Sequence, residues 1–266
     1  LTLIREVLDL PAGEEAAATA PVDAGDDIFS RFENQEPSDV IEWALKTYGG
    51  ETAIAFSGAE DVVLIHMAAK LGLSFTAITI DTGRLHPETY EFVDWVRERY
   101  GVDLVVTAPE RGELEALVRD KGLFSFYRDG HSECCEIRKV RPLRRALEGR
   151  SAWITGQRRD QSAQTRSSLP VVQKDEHMAA NGSPLIKINP LAAWTADQVW
   201  SFIRENDVPH NPLHGRGFAS IGCAPCTRPI LPGQGPRDGR WWWEGSEGKE
   251  CGLHAQNLRS PAGDEP

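Results

Sequence analysis

The chain has 266 residues, of which 40% are hydrophobic and 26% are charged, and its formal net charge is −11. This length suits one large α/β domain with appendages. The acidic balance argues against general binding to nucleic acid or to an anionic membrane surface. No run of about 18 apolar residues occurs, so we expect no transmembrane helix.

Composition divides the chain into three parts. Residues 1–27 contain few large apolar side chains, which predicts a disordered N-terminus. Residues 28–220 carry regular apolar patterns and are expected to form an α/β nucleotide-binding domain that also holds the first cysteine pair. In residues 221–266 Gly, Pro, Arg and Trp dominate, and we expect a separate C-terminal segment there.

Strand-like and helix-like segments alternate through the middle of the chain. Short runs of β-forming residues predict strands, and helical periodicity lies between them. This alternation predicts a doubly wound parallel sheet. Pro190 interrupts the last run, so we expect that strand to lie at an edge. The predicted strands cover residues 52–56, 75–80, 104–107, 152–155 and 185–191.

Two loops directly follow predicted strands and are rich in small or polar residues. Ser57 and Gly58 begin the first loop, and Asp81 begins the second. Ligands of parallel sheets bind beyond the carboxyl ends of strands, where a helix N-terminus can also hold an anion. We therefore expect both loops to border one pocket. The G-x-x-x-x-G-K-[ST] motif is absent, which argues against P-loop chemistry.

Arginines are concentrated where another predicted strand ends. Gly156 begins this loop, and Arg158, Arg159 and Arg166 follow it. The arginine guanidinium binds phosphate and sulfate oxygens in a bidentate manner. The loop is therefore expected to contact an anionic substrate, and the alternative is an ordinary solvated run of charge.

Four of the five cysteines form two pairs, Cys134-Cys135 and Cys223-x-x-Cys226. Four thiols are the number that holds one metal centre. Adjacent cysteines reach a single zinc ion awkwardly, whereas each can bind its own iron in a larger 4Fe–4S cluster. We therefore expect one 4Fe–4S cluster, with zinc, a disulfide or buried thiols as alternatives. Thiols committed to a metal favour a cytoplasmic protein.

The fifth cysteine, Cys251, belongs to neither pair and follows a Gly-rich stretch. Lys249 and His254 lie near it in the sequence, and a neighbouring cation can lower a thiol pKa and favour the nucleophilic thiolate. Cys251 is thus either a nucleophile or an incidental exposed thiol. Three consecutive tryptophans at 241–243 precede it, and we interpret them as an anchor for the C-terminal segment, with cofactor stacking as the alternative.

Six motifs occur in an order that resembles a known family. They are S-G-A-E-D at 57–61, D-T-G-R-L-H-P-E-T at 81–89, C-C-E-I-R-K at 134–139, G-Q-R-R-D-Q-S at 156–162, C-A-P-C-T-R-P at 223–229 and K-E-C-G-L-H at 249–254. The combination resembles the assimilatory adenylyl-sulfate (APS) reductases of the phosphoadenylyl-sulfate (PAPS) reductase family. The resemblance implies a fold similar to adenine-nucleotide α-hydrolases, with a mobile C-terminal tail.

The resemblance also implies roles for individual residues. Cys251 matches the catalytic nucleophile, and His131 and Lys139 match residues near the cluster and the substrate. The residues that match cluster ligands are Cys134, Cys135, Cys223 and Cys226. Those that match the nucleotide pocket are Ser57, Gly58, Asp81, Leu85, Gly156 and Arg166. Those that match the segment closing over the sulfate are Arg237, Arg240 and His254.

The implied reaction is the thioredoxin-dependent reduction of adenosine 5′-phosphosulfate to sulfite and AMP in sulfate assimilation. The thiolate of Cys251 would attack the sulfur and form an enzyme S-sulfocysteine. Thioredoxin or a similar dithiol would then release sulfite. The resemblance also implies a homo-oligomer.

Three alternative functions stay open. Family members that use the 3′-phosphorylated nucleotide, PAPS, usually lack both cysteine pairs, yet a PAPS-using or dual-specificity enzyme remains an alternative. An ATP-pyrophosphatase-type sulfur transferase would use a loop resembling S-G-G-x-D-S, from which Ala59 and Glu60 depart. An iron–sulfur redox sensor would explain the paired cysteines but neither Cys251 nor the arginine loop.

Overall fold

The computed structural model describes residues 27–163, 165–179, 185–245 and 252–253. The N-terminus predicted to be disordered therefore lies outside the described residues, except for residue 27. The division into three parts stays a prediction. Along the described chain, no helix combines the length and apolar character needed to cross a membrane.

The centre of the protein is a six-stranded sheet in the order β3-β2-β1-β4-β6-β5. Five strands run parallel, and β5 pairs with β6 in the antiparallel direction. The strands are β1 (Thr52–Ala55), β2 (Thr76–Ile80), β3 (Asp103–Thr107), β4 (Ala152–Ile154), β5 (Val172–Lys174) and β6 (Ile186–Ile188). The α/β fold with a mostly parallel sheet is thus confirmed.

The placement of the strand predicted at 185–191 is wrong, because β6 lies inside the sheet. It pairs with β4 on one side and with β5 on the other, where Val172 faces Ile188. Pro190 lies beyond the end of β6, so its missing N–H group removes no ladder hydrogen bond. The sheet ends instead at β5, which the sequence analysis did not predict.

Helices cover both faces of the sheet. The helices are α1 (Asp27–Ser30), α2 (Pro37–Tyr48), α3 (Ala59–Leu71), α4 (Pro87–Tyr100), α5 (Arg111–Lys121), α6 (Phe126–Asp129), α7 (Ser132–Cys135), α8 (Arg141–Ala146) and α9 (Ala196–Glu205). A π-helical turn, Glu136–Val140, joins α7 to α8.

Two apolar cores lie on opposite faces of the sheet. Ile54 and Ile154 belong to the larger core, which α2, α3, α4 and α9 complete. The neighbouring residues Ala53 and Trp153 belong to the smaller core, together with Leu143 of α8. Successive side chains in a strand point to opposite faces, so strands covered on both sides are apolar throughout. This arrangement leaves the carboxyl ends of β1, β2 and β4 open for a ligand.

Candidate functional site

The carboxyl ends of β1, β2 and β4 border a cavity of about 250 Å³, here called the main cavity. The loops after β1 and β2 both line it, as the sequence predicted, and the loop after β4 completes its wall. The predicted site residues that line the main cavity are Ser57, Gly58, Leu85, Lys139, Gly156, Arg166, Arg237 and Arg240. Such a concave site beyond parallel strands is the usual place for a small ligand.

Two predicted substrate residues lie next to the main cavity without lining it. Asp81 shapes the loop after β2, because its Oδ1 accepts hydrogen bonds from the Gly83 N–H and the Tyr90 hydroxyl, both at 2.7 Å. Burial, followed by the hydrogen bond to Asp81, raises the pKa of Tyr90 to about 12. His131 lines a neighbouring cavity among the cysteines.

Asp61 at the start of α3 holds the loops after β1 and β4 together. Its Oδ2 accepts hydrogen bonds from the Ser57 N–H (2.8 Å), the Ser57 hydroxyl (2.9 Å) and the Gly58 N–H (3.0 Å). Its Oδ1 accepts one from the Gly156 N–H at 2.9 Å. Burial raises the pKa of Asp61 to about 6, while the hydrogen bonds from Ser57 and Gly156 oppose that rise. The carboxylate therefore fixes the shape of the cavity wall.

Gly156 is required by this close approach. A Cβ atom there would lie 2.6 Å from both Asp61 Oδ1 and Glu60 Cβ. Any larger residue at position 156 would push the loop after β4 away from α3.

The arginine loop supplies fewer positive charges to the main cavity than its sequence suggests. Arg158 is buried and forms an ion pair with Glu60 at 3.0 Å and another with Asp160. Arg159 forms an ion pair with Glu33, and Arg166 donates a hydrogen bond to Gln161. Arg158 and Arg159 are thus neutralised by carboxylates, although Arg158 lines the cavity together with Arg166.

A group of cations borders another part of the main cavity. Lys139 comes from the π-helical turn, and Arg237 and Arg240 come from the C-terminal segment. Arg240 is buried, and its Nη1 donates to two neutral acceptors, Ser220 Oγ and the Ile221 carbonyl, both at 3.3 Å. No carboxylate is paired with Arg240 among the described residues. Its charge is available to an anionic ligand.

The four paired cysteines come together in a second, smaller cavity, here called the thiol cavity. Cys134 and Cys135 end α7, and Cys223 and Cys226 bound a short 3₁₀ turn. None of these four cysteines forms a disulfide within the described part of the chain. Phe126 and Trp241 pack against them, and the other residues that line the cavity are Arg84, His131, Arg138 and Lys139.

The thiols differ in how strongly their surroundings favour the thiolate. Burial raises the pKa of Cys134, and it raises the pKa of Cys226 to about 12. Burial acts in the same direction on Cys223, but the charge of Lys139 and the hydrogen bond from Thr82 outweigh it, and the net effect is a lowered pKa. The Thr82 hydroxyl lies 3.2 Å from the Cys223 sulfur.

The thiol cavity combines sulfur donors with positively charged side chains. Within the described part of the chain, no three His, Cys, Asp or Glu side chains are arranged to hold one ion. The four thiols instead surround a cavity that two buried or half-buried arginines, Arg84 and Arg138, also line. An iron–sulfur cluster bound by thiolates carries negative charge, which these cations would offset.

The predicted nucleophile Cys251 and the predicted contact His254 lie outside the described residues. The two residues between them are described. Leu253 lines the main cavity and packs against the smaller apolar core, and Gly252 lies close to Val140. The C-terminal segment therefore reaches the main cavity.

The sequence analysis missed two polar residues that line the main cavity. Among the described residues, neither polar atom of the buried Gln157 side chain has a hydrogen-bond partner, and Nε2 of His214 has none either. Unpaired buried polar groups are costly, so both side chains are suited to contact a ligand. Gln157 lies in the quoted G-Q-R-R-D-Q-S motif, whereas no signal in the sequence pointed to His214.

A family model, the phosphoadenosine phosphosulfate reductase domain, matches residues 51–229. The chain belongs to this family. An adenosine 5′-phosphosulfate reductase of Pseudomonas aeruginosa is 54% identical to it over 235 residues, which cover 88% of each chain. The chloroplastic 5′-adenylylsulfate reductase 1 of Arabidopsis thaliana is 50% identical over 253 residues, covering 94% of this chain and 54% of that one. The chain thus spans about half the length of this plant relative.

One solved structure supports the same family, and a second shares the fold. The phosphoadenylyl-sulfate (PAPS) reductase from Candida auris, crystallised as a phosphate complex, has a TM-score of 0.64 and 29% identity, covering 78% of this chain and 99% of that one. A mutant FMN adenylyltransferase from Candida glabrata has a TM-score of 0.52 at 19% identity, covering 82% of this chain and 71% of that one. The second likeness shows the fold alone. The family expected from the six motifs is confirmed.

We predict that Asp61→Asn lowers the free energy of unfolding by about 1–3 kcal/mol, the typical cost of an unsatisfied buried donor. The carboxylate accepts hydrogen bonds on both oxygens, so an amide NH₂ would face a backbone N–H group. Denaturant unfolding at neutral pH measures the change.

Asp81→Asn is the matched control, because Asp81 accepts both of its hydrogen bonds on one oxygen, which an asparagine retains. Equal losses of stability in the two variants would contradict the role given to Asp61.

Proposed function

We propose that this protein reduces adenosine 5′-phosphosulfate to sulfite and AMP, as the names of its bacterial and plant relatives state for those proteins. The observation that carries the proposal is that the main cavity and the thiol cavity share Lys139 and Cys223. A small-molecule site on an adenine-nucleotide fold therefore borders a centre of four thiols. This combination suits sulfur chemistry on an adenylate.

The main cavity would hold the substrate by its loops and its cations. The loop Ser57–Asp61 and the loop after β4 form one wall, which Asp61 keeps rigid. Lys139, Arg237 and Arg240 would bind the phosphosulfate, because guanidinium and ammonium groups form strong hydrogen bonds to such oxyanions. Positive charge fixed before the reaction also stabilises negative charge on the transferring group.

Cys134, Cys135, Cys223 and Cys226 would hold one 4Fe–4S cluster. The surroundings of Arg138 support this assignment, because the residue is 5% exposed and its Nε has no partner in the described structure. Its Nη1 donates a hydrogen bond to the Thr82 carbonyl at 2.5 Å. Burial, followed by the charge of Arg84, lowers the pKa of Arg138, while interactions with Cys134 and Cys223 oppose that lowering. When bound, the cluster would supply negative charge and structural order beside the main cavity.

Cys251 would act as the nucleophile. Its thiolate would attack the sulfur of the substrate, so that an S–S bond forms while the S–O bond to the phosphate breaks and AMP leaves with the electron pair. A dithiol such as reduced thioredoxin would then attack the Cys251 sulfur and release sulfite, becoming a disulfide in the process. Supporting this role, Gly252 and Leu253 follow Cys251 directly in the sequence, and Leu253 lines the main cavity.

Other expectations from the sequence are part of the same proposal. An enzyme that depends on free thiols and a thioredoxin-like reductant would work in the cytoplasm. Homo-oligomerisation and motion of the C-terminal tail also stay proposals.

We predict that purified protein mixed with adenosine 5′-phosphosulfate, without a reductant, gains one sulfite-sized mass on Cys251. Intact-protein and peptide mass spectrometry measure the adduct, and reduced thioredoxin should remove it. Cys251→Ser should neither form the adduct nor produce sulfite. Continued sulfite production by Cys251→Ser would favour the redox-sensor alternative.

We predict that replacing a single paired cysteine, as in Cys135→Ser or Cys226→Ser, reduces the iron content of anaerobically purified protein by more than about half, because a serine replaces one thiolate ligand. Elemental analysis and visible absorption measure the loss. Cys251→Ser is the matched control and should retain its iron. Full activity in a colourless, iron-free protein would rule out a required cluster.

The likeness to a PAPS reductase favours a second candidate substrate, the 3′-phosphorylated nucleotide. We predict at least about tenfold higher kcat/KM for adenosine 5′-phosphosulfate, which corresponds to about 1.4 kcal/mol of discrimination. Parallel assays of sulfite release with the two nucleotides measure the ratio. Equal values would indicate a dual-specificity enzyme.

A further inference from the structure

Trp241 is the one member of the run 241–243 that is fully buried, with an exposed fraction of 0%, whereas Trp242 is 43% exposed. It packs against the cysteines of the thiol cavity. Its main-chain N–H donates to the Cys226 carbonyl at 3.0 Å. The indole is therefore part of the packing that surrounds the four cysteines.

The indole ring of Trp241 lies near Lys139, Arg237 and Arg240, three of the cations that line the main cavity. The guanidinium carbon of Arg240 lies 4.6 Å from the ring centroid. The guanidinium carbon of Arg237 and the ammonium nitrogen of Lys139 both lie 5.9 Å from it. An aromatic face attracts cations within about 6 Å, and tryptophan does so most strongly. One side chain therefore contacts every lysine or arginine that we assign to the phosphosulfate.

Arg240 is held on its other side by Gly222. A Cβ atom at position 222 would lie 2.5 Å from Nη2 and 2.6 Å from Cζ of Arg240, so only glycine leaves room for the guanidinium. The guanidinium of Arg240 thus lies between the Gly222 backbone and the Trp241 ring. Such a narrow slot restricts the rotamers of a long side chain, which fixes where its N–H groups point.

Two further features of Trp241, its backbone conformation and its buried indole N–H, are consistent with a role for the aromatic face of the ring. The φ angle of Trp241 is +40°, a left-handed conformation that is unusual for a bulky residue and is found at functional sites. The indole Nε1 is buried and has no partner in the described structure. A residue kept for hydrogen bonding would find an acceptor, so the useful part of this side chain is its aromatic surface.

We propose that Trp241 is a positioning residue for the anionic end of the substrate, because its face orients Lys139, Arg237 and Arg240 toward the main cavity. The inference rests on the proposed function, since the ligand is the phosphosulfate of an adenylate. In this inference Trp241 acts on the substrate through these three cations and makes no hydrogen bond to it. It adds a second role to the anchoring predicted for the tryptophan run, which stays a prediction.

The test compares a ligand with the anionic group and one without it. Adenosine 5′-phosphosulfate and adenosine are titrated by calorimetry into protein carrying Cys251→Ser, which blocks turnover, with its natural metal content kept. Trp241→Leu removes the aromatic face, and Trp241→Phe retains one. Trp242→Leu is the matched control, because Trp242 contacts Arg228 (5.0 Å), which does not line the main cavity.

We expect Trp241→Leu to weaken binding of adenosine 5′-phosphosulfate by about tenfold, the scale of partly desolvated cation–π contacts. Adenosine affinity should change by less than about twofold, since adenosine carries no anionic group for the cations to bind. Trp241→Phe should recover most of the loss, and Trp242→Leu should match the parent. If Trp241→Leu does not fold, Trp241→Met, whose flexible side chain fills the same space, should give the same result.

Three results would overturn the inference. These are unchanged binding of adenosine 5′-phosphosulfate by Trp241→Leu, an equal loss for adenosine, or a loss in Trp241→Phe as large as that in Trp241→Leu. Failure of the proposed function looks different, because the parent protein would then bind neither ligand or bind both equally well.

Discussion

Arg84 and Arg138 place positive charge against four cysteine thiols, and neither has a carboxylate partner among the described residues. A buried charge without compensation is costly, so it must be balanced by negative charge close by. The thiols can supply that charge as metal-bound thiolates. This one constraint explains why cysteines that are distant in sequence are held together behind a layer of aromatic side chains, and why the centre lies beside a cavity for an anion.

The two cavities work as one unit because they share residues. Lys139 and Cys223 line both, so the charge that lowers the pKa of a thiol on one side also faces the main cavity on the other. Asp61 gives the opposite wall its rigidity through hydrogen bonds to two loops. Trp241, in our proposal, fixes the direction of the cations between the two walls. In our proposal, substrate binding, charge balance and thiol chemistry are therefore coupled by packing.

Much of this arrangement could be predicted from the sequence, because short apolar strands and glycine-rich loops carry local signals. Periodicity indicated the parallel strands, and the cysteine pairs indicated one thiol centre. Contacts between distant residues carry no such signal. The three-residue strand β5 was missed, and β6 was placed at an edge. The arginine loop was expected to contact the substrate, and the sequence did not indicate the ion pairs of Arg158 with Glu60 and Asp160. The roles of Cys251 and His254, the cluster and the cellular location remain predictions.

The balance between buried arginine and thiolate charge is tested most directly by Arg138→Met, with the exposed Arg128→Met as its control. Iron content is measured after anaerobic purification, and denaturant unfolding is measured after the iron has been removed by a chelator. We predict that Arg138→Met loses most of its iron yet gains about 1 kcal/mol of stability in the iron-free form, because an uncompensated buried charge has been replaced by an apolar side chain. Full iron retention together with a less stable iron-free protein would contradict this account.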